Sequence, residues 1–160
     1  MKQLIAVLTS AVLIALIACH RDPSDNWKKL DLLEYGLPIT IHAPDSAVVR
    51  SKKMGFVQDV TVKKGDFYSI QILSSAARTN DISSIKAEQL DLVRDARYFS
   101  KVVEETEDGF IYQNNIEGAE CYGFRYVFVQ GDVEYVLASG YADIFKLEEI
   151  RRMFDAVRKR

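Results

Sequence analysis

The fold is decided by residues 122–141, which read YGFRYVFVQGDVEYVLASGY. Aromatic residues occupy every second position from Tyr122 to Phe128, and glycine, arginine and valine alternate with them. A period of two is typical of a β-strand, because successive side chains point to opposite faces of the sheet. The Gly131-Asp132 pair predicts a turn, so that a second strand follows over 133–141.

The aromatic face of this strand, formed by Tyr122, Phe124, Tyr126 and Phe128, has two interpretations. If exposed, it would be a stacking platform for a sugar or a peptide. Alternating aromatic residues in a central strand usually pack in the core, so we expect the face to be buried beneath helices. The tyrosine hydroxyls would then line a cleft between sheet and helix, where a ligand would be sought first.

The same period predicts further strands upstream. They are a short half-buried strand at 39–43 ended by Pro44, a hairpin of 56–63 and 67–73 around a turn at 64–66, and a hairpin of 99–105 and 110–114 around Asp108-Gly109. Strands joined in this way form an antiparallel sheet.

Two helices are predicted from apolar residues that recur at helical spacing. The first follows a cap at Thr79, Asn80 or Asp81, and its expected buried face is Ile82, Ile85, Leu92, Val93 and Ala96. The second closes the chain, with Leu147, Ile150, Phe154 and Val157 in one stripe. Helices packed on an antiparallel sheet define an α+β fold, expected here as one domain over 27–160.

Charge excludes one class of partner. Lys2 is the only charged residue in 1–18, so the remaining chain carries 21 − 1 = 20 basic and 23 acidic residues, a formal charge of −3. Proteins that bind nucleic acids normally show a strong basic excess. We therefore expect no nucleic-acid partner.

The N-terminus has the pattern of a secretory signal. A positive start at Lys2 precedes an apolar stretch over 4–18, and Cys19 follows. The 15-residue stretch is shorter than the roughly 20 residues that a membrane-spanning helix needs, which favours a cleaved signal over a permanent anchor. An ordinary signal peptide with a chance cysteine, or an uncleaved anchor, are the alternatives.

The segment Leu16-Ile17-Ala18-Cys19 resembles the lipobox of bacterial lipoproteins, although Ile17 is bulkier than the usual residue there. The resemblance implies removal of 1–18 and attachment of lipid to Cys19. Two or more acyl chains hold a protein stably on a membrane, whereas one holds it only marginally. By resemblance to enterobacterial sorting rules, His20 after the cysteine, rather than Asp, favours the outer membrane, with the domain facing the periplasm.

Residues 19–26 are expected to form a lipidated tether. The polar run 20–26 contains a proline and reaches at most roughly 23 Å at about 3.3 Å per residue. The domain would therefore lie close to the bilayer. With Cys19 lipidated, Cys121 would have no partner for a disulfide within the chain.

The domain itself resembles the Mog1/PsbP-like superfamily, which includes bacterial lipoproteins of the DcrB kind. The resemblance rests on Leu32-x-x-Tyr35-Gly36-Leu37-Pro38 before a strand that ends at Ala43-Pro44, on the mid-chain helix, and on the final strand-to-helix unit. It implies a binding or assembly role, with no catalytic residues to carry over. Cystatin-like and NTF2-like α+β folds are the alternatives.

Three residues that could act as metal ligands or nucleophiles lack the neighbouring residues that such roles require. His42 has no Cys, His or Asp at metal-ligand spacing, and Ser83, three residues before Lys86, belongs to the first turn of a helix. Cys121 has only Arg125, two pleats along the same strand face, as a weak activating partner. We expect a small-residue packing role for Cys121.

The acidic run 104–109 fails as a calcium loop, because it begins with Glu104 where an EF-hand has Asp and its twelfth position is Asn115 where an EF-hand has Glu. We therefore predict no catalytic residue, metal site or cofactor. The predicted function is a membrane-anchored envelope lipoprotein that binds an envelope protein or a small ligand without catalysis. The alternative is an envelope enzyme that uses Cys121 or a carboxylate pair assembled by the fold.

Overall fold

In a computed structural model that describes residues 26–140 and 143–159, five strands precede the first α-helix and four strands separate it from the second. Nine strands and two α-helices follow one another there, with a 3-10 helix at Leu33–Tyr35. The strands are β1 Lys28–Asp31, β2 Thr40–Ala43, β3 Val48–Met54, β4 Val57–Lys64, β5 Tyr68–Ala76, β6 Phe99–Glu105, β7 Gly109–Ile116, β8 Ala119–Gln130 and β9 Val133–Ser139, and the helices are α1 Ile82–Arg94 and α2 Leu147–Arg158. This is the predicted α+β architecture.

The strands form one large antiparallel sheet and one small one. The seven-stranded sheet has the order β3-β4-β5-β9-β8-β7-β6, and β1 pairs with β2 separately. β8 and β9, the hairpin that contains the aromatic alternation and the Gly131-Asp132 turn, lie near its centre. All three predicted hairpins and the strand that ends at Ala43 are confirmed.

The two helices pack on opposite faces of the large sheet. On β8, Phe124, Tyr126 and Phe128 join the core cluster that contains Phe154 of α2. Val127, which points the other way, packs with Ile85 of α1. The residues of α2 that form the expected stripe lie against the sheet, with Ile150, Phe154 and Val157 all buried.

Close packing of α2 against the sheet depends on Gly109. A Cβ at this position would lie 2.6 Å from the carbonyl oxygen of Arg125 and 2.8 Å from the Phe154 ring. A backbone oxygen cannot move aside, so only glycine allows β7 to approach both neighbours.

The expected buried face of α1 was partly wrong. Leu92 is 65% exposed and Ala96 is exposed, whereas Leu90 is buried beside Val93. Leu90 reaches a separate small cluster with Phe110 and Tyr112 on β7, and that contact decides the rotation of the helix. Asp81, one of the three expected caps, begins the helix by accepting a hydrogen bond from the Ser84 amide at 3.3 Å.

Two strands were not predicted. β1 pairs only with β2, and β3 is an edge strand that pairs only with β4. The strand predicted over 133–141 ends at Ser139 in the described structure, and Tyr141 lies outside the described residues.

Candidate functional site

Cys121 has the surroundings of a packing residue. Its side chain lies on β8, with the sulfur 3.9 Å from the carbonyl oxygen of Asn114, and it is 7% exposed. Burial raises the pKa of the Cys121 thiol, so less of the nucleophilic thiolate forms at neutral pH. Arg125 is buried on the same strand, two pleats away.

His42 and Ser83 stay apart from other candidate groups. His42 is half-buried on β2, where its carbonyl oxygen accepts a hydrogen bond from the Tyr68 hydroxyl at 2.9 Å. Ser83 is exposed in the first turn of α1. Within residues 26–140 and 143–159, no three His, Cys, Asp or Glu side chains cluster closely enough to hold a metal ion.

The acidic run 104–109 is held by basic side chains of both helices. Glu104 accepts from Arg151 of α2 at 2.5 Å, and Glu105 accepts from Lys86 of α1 at 2.9 Å. Lys86 also donates to the Thr106 carbonyl oxygen at 2.8 Å. These carboxylates therefore tie the β6–β7 turn to the helices.

The aromatic face of β8 is buried, as expected, at three of its four positions. Phe124, Tyr126 and Phe128 are at most 4% exposed, whereas Tyr122 is half-buried and its hydroxyl donates to Glu120 at 2.9 Å. The platform interpretation is therefore wrong for the centre of the strand.

Part of one sheet face is left open to solvent. A row of paired residues crosses the sheet from Val127 on β8 through Val136 on β9, Leu73 on β5 and Asp59 on β4 to Lys52 on β3. Residues paired in this way share a face, so all five lie on the side of the sheet that carries α1. Because α1 packs on β8 and β6, it leaves the β3–β5 end of that face accessible.

We call this accessible part the open face. Apart from the apolar Val48 and Leu73, its accessible side chains are polar and either exposed or half-buried: Arg50, Lys52, Asp59, Thr61, Lys63 and Gln71. The opposite side chains of the same strands, such as Val60, Val62 and Ile72, are fully buried under α2 and the small sheet. Because the open face is mostly polar, it does not require a helix to cover it.

A pocket of about 520 Å³ lies on the open face. It is lined by Val48, Arg50, Thr61, Lys63, Gly65 and Asp66. This volume is within the range of about 300–1,000 Å³ that is typical of small-molecule sites. We call it the Arg50 pocket.

The charges in the Arg50 pocket are not equally available. Lys63 is held by Asp143, 2.5 Å away, whose side chain is only 12% exposed. Gly140 makes room for this pair, since a Cβ there would lie 2.3 Å from the Ser69 hydroxyl and 3.0 Å from Asp143. Arg50 makes no ion pair with any residue that the structure describes. The arrangement leaves one guanidinium ready to bind an anionic group.

A second pocket, of about 570 Å³, lies where the small sheet meets the C-terminal end of α2. Three of its four polar side chains have partners within the protein, and the fourth is Thr40. Gln130 donates to the Pro38 carbonyl oxygen at 3.1 Å, Asp31 accepts from the Leu33 amide at 2.9 Å, and Arg158 lies 4.0 Å from Asp108. These contacts stabilise the junction and leave the Arg50 pocket as the better ligand site.

Neither pocket is lined by a tyrosine, so the cleft that the sequence suggested is not at these two places. The Arg50 pocket was not predicted, because β3, which supplies Val48 and Arg50, was not predicted. Lys63 and Asp143 are 80 residues apart, and only the folded sheet brings them together. The polar alternation of Asp59, Thr61 and Lys63 on a predicted strand is the signal that could have indicated an open face.

The predicted lipid attachment at Cys19 and the signal at 1–18 lie outside the described residues. In the part of the chain that the structure describes, no helix has the length and hydropathy needed to cross a membrane. No protein-family model matches the sequence, and a comparison with curated proteins finds no match either.

Proposed function

We propose that this chain is a membrane-anchored envelope lipoprotein whose domain binds, without catalysis, a small ligand that carries one anionic group. The Arg50 pocket is the proposed binding site. The observation that carries the proposal is the pocket on the open face, lined by an arginine that has no acidic partner among the described residues.

Charge and size define the ligand. Arg50 would donate to a carboxylate or phosphate oxygen, and the Thr61 hydroxyl beside it offers a further hydrogen bond. Asp66, which lines the same pocket, disfavours a ligand with several negative charges. A compact molecule with a single carboxylate or phosphate group fits both conditions.

The enzyme alternative has less support. Cys121 is buried with a raised thiol pKa, and Glu104 and Glu105 are paired with Arg151 and Lys86. A nucleophilic thiolate normally needs an exposed and electropositive site. A binding role therefore accounts better for the described residues.

The ligand proposal is tested by native mass spectrometry of the chain extracted from membranes in mild detergent. We expect an extra small-molecule mass that is lost in Arg50→Ala. Arg78→Ala is the matched control, because Arg78 is also an exposed arginine but pairs with Glu88 away from the pocket. Loss of the ligand from both variants, or no bound mass together with no thermal shift in acetate or inorganic phosphate, contradicts the proposal.

The anchor is tested separately by labelling cells with a radioactive fatty acid. We expect the wild-type chain to be labelled and Cys19→Ala to carry no label. Equal labelling of both chains would show that Cys19 is not the attachment site.

A further inference from the structure

The turn that joins β3 to β4 presents two apolar side chains to solvent. Met54 pairs with Val57, so Gly55 and Phe56 are the two central residues of the turn. Gly55 has a φ of 62°, whereas Phe56 is not among the non-glycine residues with positive φ, as in a type II′ turn. The Phe56 side chain is 98% exposed and that of Met54 is 45% exposed.

Basic residues lie beside these apolar side chains, and we call Lys52, Lys53, Met54 and Phe56 together the tip. Residues 48–58 contain Arg50, Lys52 and Lys53 and no acidic residue, and Asp59, which follows them, lies opposite Lys52. Both lysines are exposed, and neither makes an ion pair with a residue in the described ranges. The charge of the tip therefore complements an anionic surface.

We infer that this tip, formed by Lys52, Lys53, Met54 and Phe56, inserts into the anionic surface of the membrane that carries the lipid anchor. Aromatic rings favour the boundary between headgroups and acyl chains, and lysine stems extend along it while the ammonium groups stay in water. A basic residue near an anionic membrane contributes about 1 kcal/mol, or roughly fivefold in affinity. Two apolar side chains with lysines beside them suit a lipid bilayer, because a fluid bilayer requires no shape complementarity.

The position of the tip gives the domain an orientation. Trp27, the first residue after the predicted tether, packs edge-to-face on Tyr68 with ring centroids 4.9 Å apart. Tyr68 pairs with Lys64, seven positions along β4 from Val57, or roughly 23 Å at about 3.3 Å per residue. The extended tether 20–26 spans about the same 23 Å. The lipid on Cys19 and the tip can therefore reach the same membrane surface when the sheet lies parallel to that surface.

This inference rests on the proposed anchor, and its test separates the two. The chain is purified from membranes and reconstituted into vesicles of phosphatidylcholine with or without phosphatidylglycerol. Trp27, the only tryptophan, is replaced by phenylalanine, and Phe56→Trp is added as the reporter. Leu92→Trp in the same background is the matched control, since Leu92 is 65% exposed on α1, away from the tip.

We expect brominated lipids to quench Phe56→Trp in the anionic vesicles and to leave Leu92→Trp unquenched. Adding Lys52→Gln and Lys53→Gln should reduce the quenching to the level found in phosphatidylcholine alone, and high salt should act in the same direction because it screens exposed charges. Circular dichroism of each variant checks that it is folded.

Three results would overturn the inference. If the chain floats with the vesicles while both tryptophans are quenched equally or not at all, the anchor stands and the tip does not insert. If a benzophenone amino acid at position 56 crosslinks to a protein rather than to lipid in intact cells, the tip is a protein-docking site. If the chain instead fails to float and carries no fatty acid, the anchor fails, and the inference that rests on it fails with it.

Discussion

The two halves of the seven-stranded sheet differ in how many of their faces are covered. In the half that contains β8 and β9, α2 covers one face and α1 the other, and the consecutive residues Tyr126, Val127 and Phe128 are all buried. In the half that contains β3, β4 and β5, only one face of β4 and β5 is covered, and the edge strand β3 is mostly exposed on both faces. Thr61 and Lys63 on the open face alternate there with the fully buried Val60 and Val62.

The difference assigns stability to the covered half and, under the proposed function, ligand binding to the open one. A strand that is apolar on both faces requires cover on both, and its side chains have no free chemistry to offer a ligand. A strand with polar alternation leaves hydrogen-bonding groups and charges accessible on a rigid scaffold. We therefore expect substitutions in the covered half to reduce stability, and those on the open face to alter binding.

The largest expected effect is at Phe154, which packs between α2 and the covered half. Its ring is 3% exposed and lies within 6.2 Å of the rings of both Phe124 and Tyr126, measured between centroids. Phe154→Ala should lower the free energy of unfolding by about 3–5 kcal/mol through lost burial and a cavity. Chemical denaturation followed by circular dichroism measures this change.

Phe56→Ala is the matched control for that measurement, because the same side chain is removed from a position that is 98% exposed. Its expected effect is within about 0.5 kcal/mol. Equal destabilisation by the two substitutions would mean that the tip is buried in the folded protein, in contradiction of the described packing.

A smaller effect is expected at Val127, on the α1 side of the covered half. Val127 is fully buried against Ile85 and Val136. Val127→Thr keeps the shape but buries a hydroxyl among apolar side chains, which should cost about 1–3 kcal/mol. Val127→Ala distinguishes the polar penalty from a packing loss, and urea denaturation of both variants gives the comparison. A Val127→Thr variant as stable as the wild type would show that water reaches this face beneath α1.

The third expected effect depends on pH and concerns Tyr68, which is buried on the covered face of β5. Burial raises the pKa of Tyr68 above its usual value of 10.0. The folded protein thus holds this proton when the unfolded chain releases it. The stabilisation is fully present below pH 10 and is lost as the pH rises further, by about 1.4 kcal/mol for each pH unit.

Unfolding measured between pH 8 and 11 checks this dependence on Tyr68. Tyr68→Phe should remove its part of the alkaline slope, although it also loses the hydrogen bond to the His42 carbonyl oxygen at every pH. The slope, rather than the stability at one pH, is therefore the measurement that decides. An unchanged slope would place the alkaline transition at other groups, of which the buried Tyr135 and Cys121 are the first to test.

The sequence predicted the covered half better than the open one, for a physical reason. Burial imposes a period on the sequence, so the aromatic alternation of β8 and the apolar stripe of α2 were both apparent. β3 reads VVRSKKM and is mostly exposed on both faces, so no period marks it. The exposed Leu92 shows the same limit within a helix, because the contact of Leu90 with Phe110 is set by a distant strand.

The candidate site was less predictable than the fold. A binding pocket depends on side chains from separate strands, and Arg50 and Lys63 become neighbours only through the register of β3 with β4. The acidic partner of Lys63 comes from the segment after β9. Since polar residues on an open face follow no packing rule, composition and spacing do not reveal which of them meet.

The smallest expected change in stability is at Thr61, the open-face counterpart of Val127. Thr61 is half-buried and lines the Arg50 pocket. Thr61→Val reverses the Val127→Thr substitution, and we expect the free energy of unfolding to change by no more than about 0.5 kcal/mol, because no buried polar group is created. The bound ligand mass should nevertheless fall, since the hydroxyl beside Arg50 is lost. A variant that keeps its ligand and loses several kcal/mol of stability would invert the assignment, and would make Thr61 part of the protein core and the pocket a gap in its packing.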